Sequence, residues 1–345
     1  MDANSFGSLF RITTWGESHG PGMGVVVEGC PAGVPFDEEL LARELDRRRP
    51  GSSGLVSPRR EPDRPRVLSG VFQGETLGTP IAVVIENRDA RPEDYDRIAR
   101  EPRRGHADDL WREKFGRADP RGGGRSSGRE TVARVAGGAV ARMAATAVCP
   151  GMRVTAFVSR IGPLALTDEE HRAAVDLDTA AIDAFPGRFP APGREGEVEE
   201  LLQRARAEGH SYGGVGRVIA RGVPRGLGAP VFHKLKADLA AAWMGIGAAT
   251  GVELGAGFAA AAAEGAAFHA PAAGEGGYGG IRGGIATGEP ITARVAFKPP
   301  ATLLDQARKG RHDPTVIVRA LPVLEAMTWL VLTDHLLQAR TDRVP

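Results

Sequence analysis

A chain of 345 residues can bury a large core without a metal or disulfide to hold it together. Its 44 basic and 43 acidic residues leave a formal charge of +1, which excludes the polycation needed to coat a nucleic acid and leaves anion binding to local clusters. The two cysteines, Cys30 and Cys149, could pair but form no disulfide framework; with no leader-like N-terminus and no run of about twenty apolar residues, the expectation is a cytoplasmic protein without a membrane partner.

In chain order, LFRITTW, GMGVVVEG and TPIAVVIEN predict strands, and between them FDEELLARELDRRRP predicts a helix with an acidic start, a basic end and a stopping proline. From Arg88 to Gly128 the chain is crowded with charge, glycine and proline, and is long for a passive loop. RETVARVAGGAVARMAATAV then predicts a long helix whose small residues suit close packing. Ser127 and Glu130 have capping-box spacing at its start, and the preceding GGGRSS suits an anion or a cofactor edge. MRVTAFVSRIG predicts a strand, GREGEVEELLQRARAEGHSYGGVGRVIARGVP a helix, a glycine loop and a strand, and VFHKLKADLAAAWMGI a helix. After an alanine- and glycine-rich stretch over 255–284, PITARVAFKPP predicts a strand, and GRHDPTVIVRALPVLEAMTWLVLTDHLLQAR a polar turn, a short strand and a terminal helix. No clean linker divides the chain, so the expectation is one large α/β or α+β domain over 1–345.

The 47 glycines mostly neighbour charged or hydroxyl residues between apolar runs, which favours ligand-enclosing loops over a floppy chain. Four polar patches stand out: GESHG with Glu17, Ser18 and His19; LDRRRPG with Arg47, Arg48 and Arg49; GHAD with His106 and Asp108; and GRHDP with Arg311, His312 and Asp313. A fifth, GGGRSSGRET, gathers Arg125, Ser126, Ser127 and Arg129 just ahead of Arg134. GESHG matches the G-x-S-x-G elbow of serine hydrolases, but that elbow follows several strands of a built sheet, whereas this pentapeptide follows the first one. Taken singly, an arginine run is a solvated surface, a loop histidine is idle and Asp-Pro starts a turn. The readings left open are a serine hydrolase, an anion- or nucleic-acid-binding module, and an enzyme that gathers these patches into one site.

Together and in order, GESHG, RRRPG, GHAD, RGGGRSSGRET, GLGAPVF, GVELGAGF, GGIRGGI and GRHDP…VRALPVLEAM make the chain resemble the chorismate synthase family across nearly its full length. The resemblance implies a β-α-β sandwich with a helical layer between antiparallel sheets, a homotetramer, and an anti 1,4-elimination of phosphate from 5-enolpyruvylshikimate 3-phosphate that needs reduced FMN. It implies that His19 protonates the departing phosphate, that His106 stabilises the anionic reduced flavin, and that Asp313, relayed by Ser18 and Ser127, serves the flavin N5 that takes the ring proton. It further implies that Arg48, Arg129 and Arg134 clamp carboxylates and phosphate, as planar bidentate donors do. Arg125, Ser126, Ser127, Gly247, Ala248, Gly283, Lys298, Pro299, Pro300, Ala301, Thr302 and Arg311 match the flavin contacts. No metal is implied; an external flavin reductase is, with NADPH as an indirect reductant.

The chain departs from the family at several of these places. Gly54 stands where a second clamping arginine is usual, with Arg59 and Arg60 nearby; IGAATG replaces INAVKG, so Gly247 and Thr250 stand for an asparagine and a lysine; Gly276 replaces another asparagine; Thr315 replaces a cysteine; and ATLLDQARK is a shortened loop. A lost amide is one flavin hydrogen bond fewer, about 0.5 to 1.5 kcal/mol. The expectation is retained chemistry with altered FMN affinity.

Overall fold

The computed structural model describes residues 3–49, 63–87, 105–119, 121–270, 276–301 and 313–343. Gly54, Arg59, Arg60, Thr302, Arg311, His312 and most of the shortened loop lie outside them.

Two five-stranded antiparallel sheets enclose a layer of helices. The first has the order β1 (Ser5–Phe6), β2 (Arg11–Gly16), β3 (Gly22–Glu28), β8 (Ile81–Glu86), β5 (Pro65–Val67). The second runs β10 (Leu164–Ala165), β9 (Arg153–Ile161), β11 (Gly214–Arg221), β15 (Ile291–Phe297), β12 (Ala249–Leu254). Smaller sheets join β4 (Ala32–Pro35), β7 (Glu75–Leu77) and β6 (Val71–Phe72), and pair β13 (Ile281–Arg282) with β14 (Ile285–Ala286). This is the sandwich that the resemblance implied.

Strand alternation decides which faces meet the helices. Met23, Val25 and Val27 of β3 and Ile81, Val83 and Ile85 of β8 are fully buried on one face. Among the described residues the helices are α1 (Glu38–Arg48), α2 (Asp108–Phe115), α3 (Thr131–Val148), α4 (Asp168–Val175), α5 (Thr179–Ala184), α6 (Glu195–Glu208), α7 (Leu235–Met244) and α8 (Ile317–Gln338), with a four-residue turn at Gly265–Phe268. Helix α1 starts where Asp37 accepts from the Leu40 N–H at 2.8 Å.

Adjacent glycines set the depth of α3. A Cβ on Gly137 would lie 2.9 Å from Ile12 Cγ2 on the first sheet, and one on Gly138 2.5 Å from Ala326 Cα on α8. Two neighbours on one helix thus allow close approach in two directions. Gly138→Ala is expected to cost about 1–3 kcal/mol through overpacking, against the gain in helix propensity of about 1 kcal/mol. Chemical denaturation checks this, and a stabilised variant would show that the two helices can move apart.

Helix α8 is predominantly apolar, and from Ile317 to Leu336 all of its residues except Arg319 are buried, as suits a core helix. It is the single described helix long and apolar enough to cross a membrane, and 94% of the qualifying window is buried in the protein. Pro322 has no N–H for the Val318 carbonyl four residues back; Arg188 Nη1 donates to that carbonyl instead, at 2.7 Å, and Arg188 Nη2 to the Arg47 carbonyl at 2.8 Å. Near its other end, Asp334 accepts from the backbone N–H groups of Ser8, Leu9 and Phe10 at 2.9, 2.7 and 2.9 Å, tying the start of the chain to its last helix.

Two local expectations change. The short strand expected after GRHDP is the start of α8, with a single bridge at Thr315 to Tyr212, because the helical period of VIVRALPVLEAM extends back to Ile317. The capping box does not close: Ser127 Oγ accepts from the Arg129 N–H at the head of a 3-10 turn, and Glu130 accepts from Arg134 Nε at 2.9 Å. Cys30 and Cys149 are free thiols, and burial pushes Cys30 up to about 11 against the opposing Thr76 hydrogen bond.

Candidate active site

The GESHG turn joins β2 to β3, so it is a strand-to-strand connection. A hydrolase elbow requires a strand-to-helix turn. Ser18 is fully buried and its hydroxyl donates to Ser127 Oγ at 3.1 Å, which corrects the serine-hydrolase alternative on geometry. The turn closes through the Gly20 N–H on the Glu17 carbonyl at 3.0 Å, leaving His19 only 5% exposed.

The three consecutive arginines at the end of α1 diverge, because successive helical residues point about 100° apart. Arg47 enters a carboxylate network: it pairs with Glu325 of α8, with Glu44 at 2.9 Å and with Asp183 at 2.6 Å. Burial works to lower its pKa, but Glu325, Glu44 and Asp183 outweigh that and raise it further above its ordinary value. Arg49 makes a partly exposed pair with Asp46 at 3.4 Å.

Arg48 is 1% exposed. Its Nη2 meets Asp63 Oδ2 at 2.7 Å, its Nη1 reaches Thr131 Oγ1 at 3.4 Å, and the other oxygen of Asp63 receives Arg129 Nη1. Arg129 Nε donates to Asn87 Oδ1 at 3.0 Å, and Asn87 Nδ2 in turn donates to the Glu17 and Gly20 carbonyls at 3.1 and 2.9 Å. Burial, with the nearby charges of Arg129 and Arg319 adding to it, pulls Arg48 down to about 10 against the opposing Asp63. Burial works to raise the Asp63 carboxyl, yet the two guanidiniums hold it below the usual carboxylate range. Arg48 Nε and Arg129 Nη2 are buried donors with no acceptor among the described residues, so the cluster has cationic capacity left for an anion.

The other expected residues gather in part. Asp313 pairs with Arg319 at 2.5 Å, and Arg319 lies close enough to Arg48 to affect it. That contact engages the Asp313 carboxylate with an arginine. Arg134 pairs with Glu130 and lies beside α7, its Nη1 3.6 Å from where a Cβ on Gly245 would sit. The next loop holds Gly247 and Ala248, whose carbonyl accepts from the Lys298 N–H at 2.9 Å; Lys298 Nζ reaches the Gly105 carbonyl at 2.7 Å and so ties down the loop of His106, which is half-buried. Pro300 accepts from Ser211 Oγ at 3.0 Å, with Pro299 and Ala301 on either side of it. Arg125 spends its guanidinium on the first sheet, at Thr14 Oγ1 (2.6 Å) and the Gly16 carbonyl (3.3 Å), which leaves the backbone and Ser126 as that segment's ligand groups. Gly283 sits in the β13–β14 turn, its carbonyl 3.4 Å from Lys234 Nζ.

Asp63, Asn87 and Arg319 are central here and were not singled out in the sequence. Asp63 lies in REPDR and Asn87 ends VVIEN. The available signal was that two buried arginines demand a carboxylate.

These residues suit a flat anionic cofactor as well as a polyanionic substrate. Among the described residues nothing lies within 4 Å of a Cβ added to Gly105, Gly128, Gly247 or Gly283, so their backbones can be approached closely, and the two guanidinium nitrogens unmatched there are anion donors.

The family model described as chorismate synthase matches residues 10–337. A chorismate synthase of Bdellovibrio bacteriovorus is 56% identical over the full length of both chains, and one of Ruegeria pomeroyi is 46% identical over 99% of this chain and 97% of its own. A crystal structure of chorismate synthase superposes with a TM-score of 0.77 at 32% identity, covering 96% of this chain and 93% of that one.

Proposed function

The chain belongs to the chorismate synthase family, and on that premise we propose that the Arg48–Asp63–Arg129 cluster binds the substrate's anionic groups while His19, on the adjoining turn, supplies the proton taken up by the leaving phosphate. The reaction is the lyase step that eliminates phosphate from 5-enolpyruvylshikimate 3-phosphate to give chorismate. The carrying observation is the buried cation excess beside the GESHG turn: two guanidiniums share one carboxylate and keep donors that are unmatched among the described residues. Such donors, fixed in a dry site, bind phosphate and carboxylate without reorganising. Arg134, a half-buried ion pair on the rim, is a third clamp.

The family uses reduced flavin; here the proposal is reduced FMN, held by the backbones around Ser126, Ser127, Gly247, Ala248 and Gly283 and by the Lys298–Ala301 segment. When bound, it lends electron density to the substrate as the C–O bond breaks. Ser18 and Ser127 fix the turn, His106 holds charge at the flavin edge, and Asp313 with Arg319 borders the site on the α8 side. We further propose a cytoplasmic homotetramer supplied with reduced flavin by a separate reductase, NADPH acting indirectly. Exposed Leu68, Phe72 and Leu77 around β6 and β7 offer apolar area for self-association.

The test is an anaerobic assay with chemically reduced FMN and the phosphorylated substrate, following chorismate and phosphate together. His19→Ala is expected to lower kcat about 10²-fold, the usual size of a lost general acid. Undiminished turnover in that variant would remove His19 from the chemistry, and phosphate release without chorismate would refute the reaction.

A further inference from the structure

Asn87 belongs to none of the motifs that carry the family resemblance, yet four contacts converge on it. Its backbone N–H donates to the Pro21 carbonyl at 3.1 Å, its Nδ2 donates to the Glu17 and Gly20 carbonyls at 3.1 and 2.9 Å, and its Oδ1 accepts from Arg129 Nε at 3.0 Å. The carboxamide orientation is chemically forced. Turned over, it would set its NH2 against a guanidinium N–H and its oxygen against two carbonyl oxygens. The Glu17 carbonyl already accepts from the Gly20 N–H, so Asn87 fills its second lone pair and grips both ends of the turn that contains Ser18 and His19. On the far side, Arg129 is joined through Asp63 to Arg48. An unbroken line of hydrogen bonds therefore runs from both buried guanidiniums to the two carbonyls flanking His19, and Asn87 is its only link that both donates and accepts through its side chain.

We propose that Asn87 is a positioning residue that sets His19 in register with the anion-binding arginines, so that proton donor and anion clamp are held as one unit. The inference rests on the assignment of His19 as the acid. No side chain except an amide meets the demand: aspartate keeps the acceptor for Arg129 but faces the two carbonyls with an anion, and alanine abandons both. Because Arg129 stays anchored by Asp63, losing Asn87 frees the turn more than it frees the clamp. The effect belongs in kcat, and a displacement of about 1 Å in a catalytic group can cost 10²-fold.

The experiment is a double-mutant cycle of Asn87→Ala and His19→Ala in the anaerobic assay, with histidine-selective NMR on the same proteins without substrate. Asn87→Ala is expected to lower kcat 10- to 100-fold with KM changed less than about threefold, to move the His19 ring signals and not those of His106, and to cost less than threefold more when His19 is already alanine. Additive losses, or an unmoved His19 signal, overturn the positioning role while leaving His19 as the acid. Full activity in His19→Ala alone overturns the acid assignment instead. If Asn87→Ala fails to fold, Asn87→Asp, which keeps the Arg129 acceptor, is read by the same criteria. In the wild-type protein the Asn87 side-chain NH2 is expected to exchange slowly with solvent, and fast exchange would also overturn the inference.

Discussion

Asp63→Ala is expected to lower folding stability by about 3–5 kcal/mol, the usual cost of removing one partner from a buried ion pair. The reason is local. Asp63 is 2% exposed, and it separates two guanidiniums of which neither has another carboxylate among its described hydrogen-bond partners. Without it Arg48 and Arg129 face one another in a site with little water. Asp63→Asn should also be costly, because one of its two acceptor oxygens becomes an NH2 pointed at a guanidinium. The carboxyl's folded pKa is depressed, so the stability it contributes is fully present above its unfolded value of about 4 and is lost as pH falls through the depressed folded value. The wild-type protein should therefore lose stability below about pH 4 more steeply than Asp63→Asn does. Urea denaturation across pH 3 to 7 measures both effects, and a loss below about 1 kcal/mol at pH 7 would mean that the two arginines are solvated by another route. Added phosphate or substrate should partly restore the variants, since an anion between the arginines supplies the missing charge.

Glu325→Ala should destabilise by a smaller amount, about 1–3 kcal/mol, the usual cost of an unmatched buried donor, and with a different signature. Glu325 is 4% exposed on α8, pairs with Arg47, and accepts from the Ala156 N–H of β9 at 2.8 Å. Its removal takes one of three carboxylates from Arg47, which keeps Glu44 and Asp183, and leaves the Ala156 N–H without its acceptor between helix layer and sheet. Glu325→Gln keeps an acceptor for Ala156 and should lose less. Arg47 points away from Arg48, so the folded fraction of either variant is expected to keep its KM for the phosphorylated substrate, in contrast to Asp63→Ala. A matching rise in KM would show that the two networks are coupled through α1.

The contrast between these neighbours shows where sequence reading stops. RRRPG marks a cationic patch, and the helical period predicts α1, but the three arginines are chemically equivalent on paper. Arg47 joins a carboxylate network, Arg48 meets the buried Asp63 and Arg49 forms a partly exposed pair with Asp46, because successive residues leave the helix in different directions. Likewise Arg125, expected at the cofactor, is bound to β2, and the serine of GESHG, which matches a hydrolase motif, is buried against another serine. Asp63 and Asn87 give no such mark, since a single Asp-Arg or Asn-Arg dipeptide carries no periodic or motif signal.

By itself the sequence determined the main strands and helices, the family and hence the reaction, and the set of loops that carry polar chemistry. These depend on short-range patterns and on motifs whose order survives along the chain. Only the tertiary structure decided which charge meets which: the joining of Arg48 to Arg129 through Asp63, and of that pair to the His19 turn through Asn87, uses contacts between residues up to 70 positions apart. Burial raises the cost of every unpaired charge, so partners are chosen by what the packed layers bring within reach, and no local pattern in the chain encodes that choice.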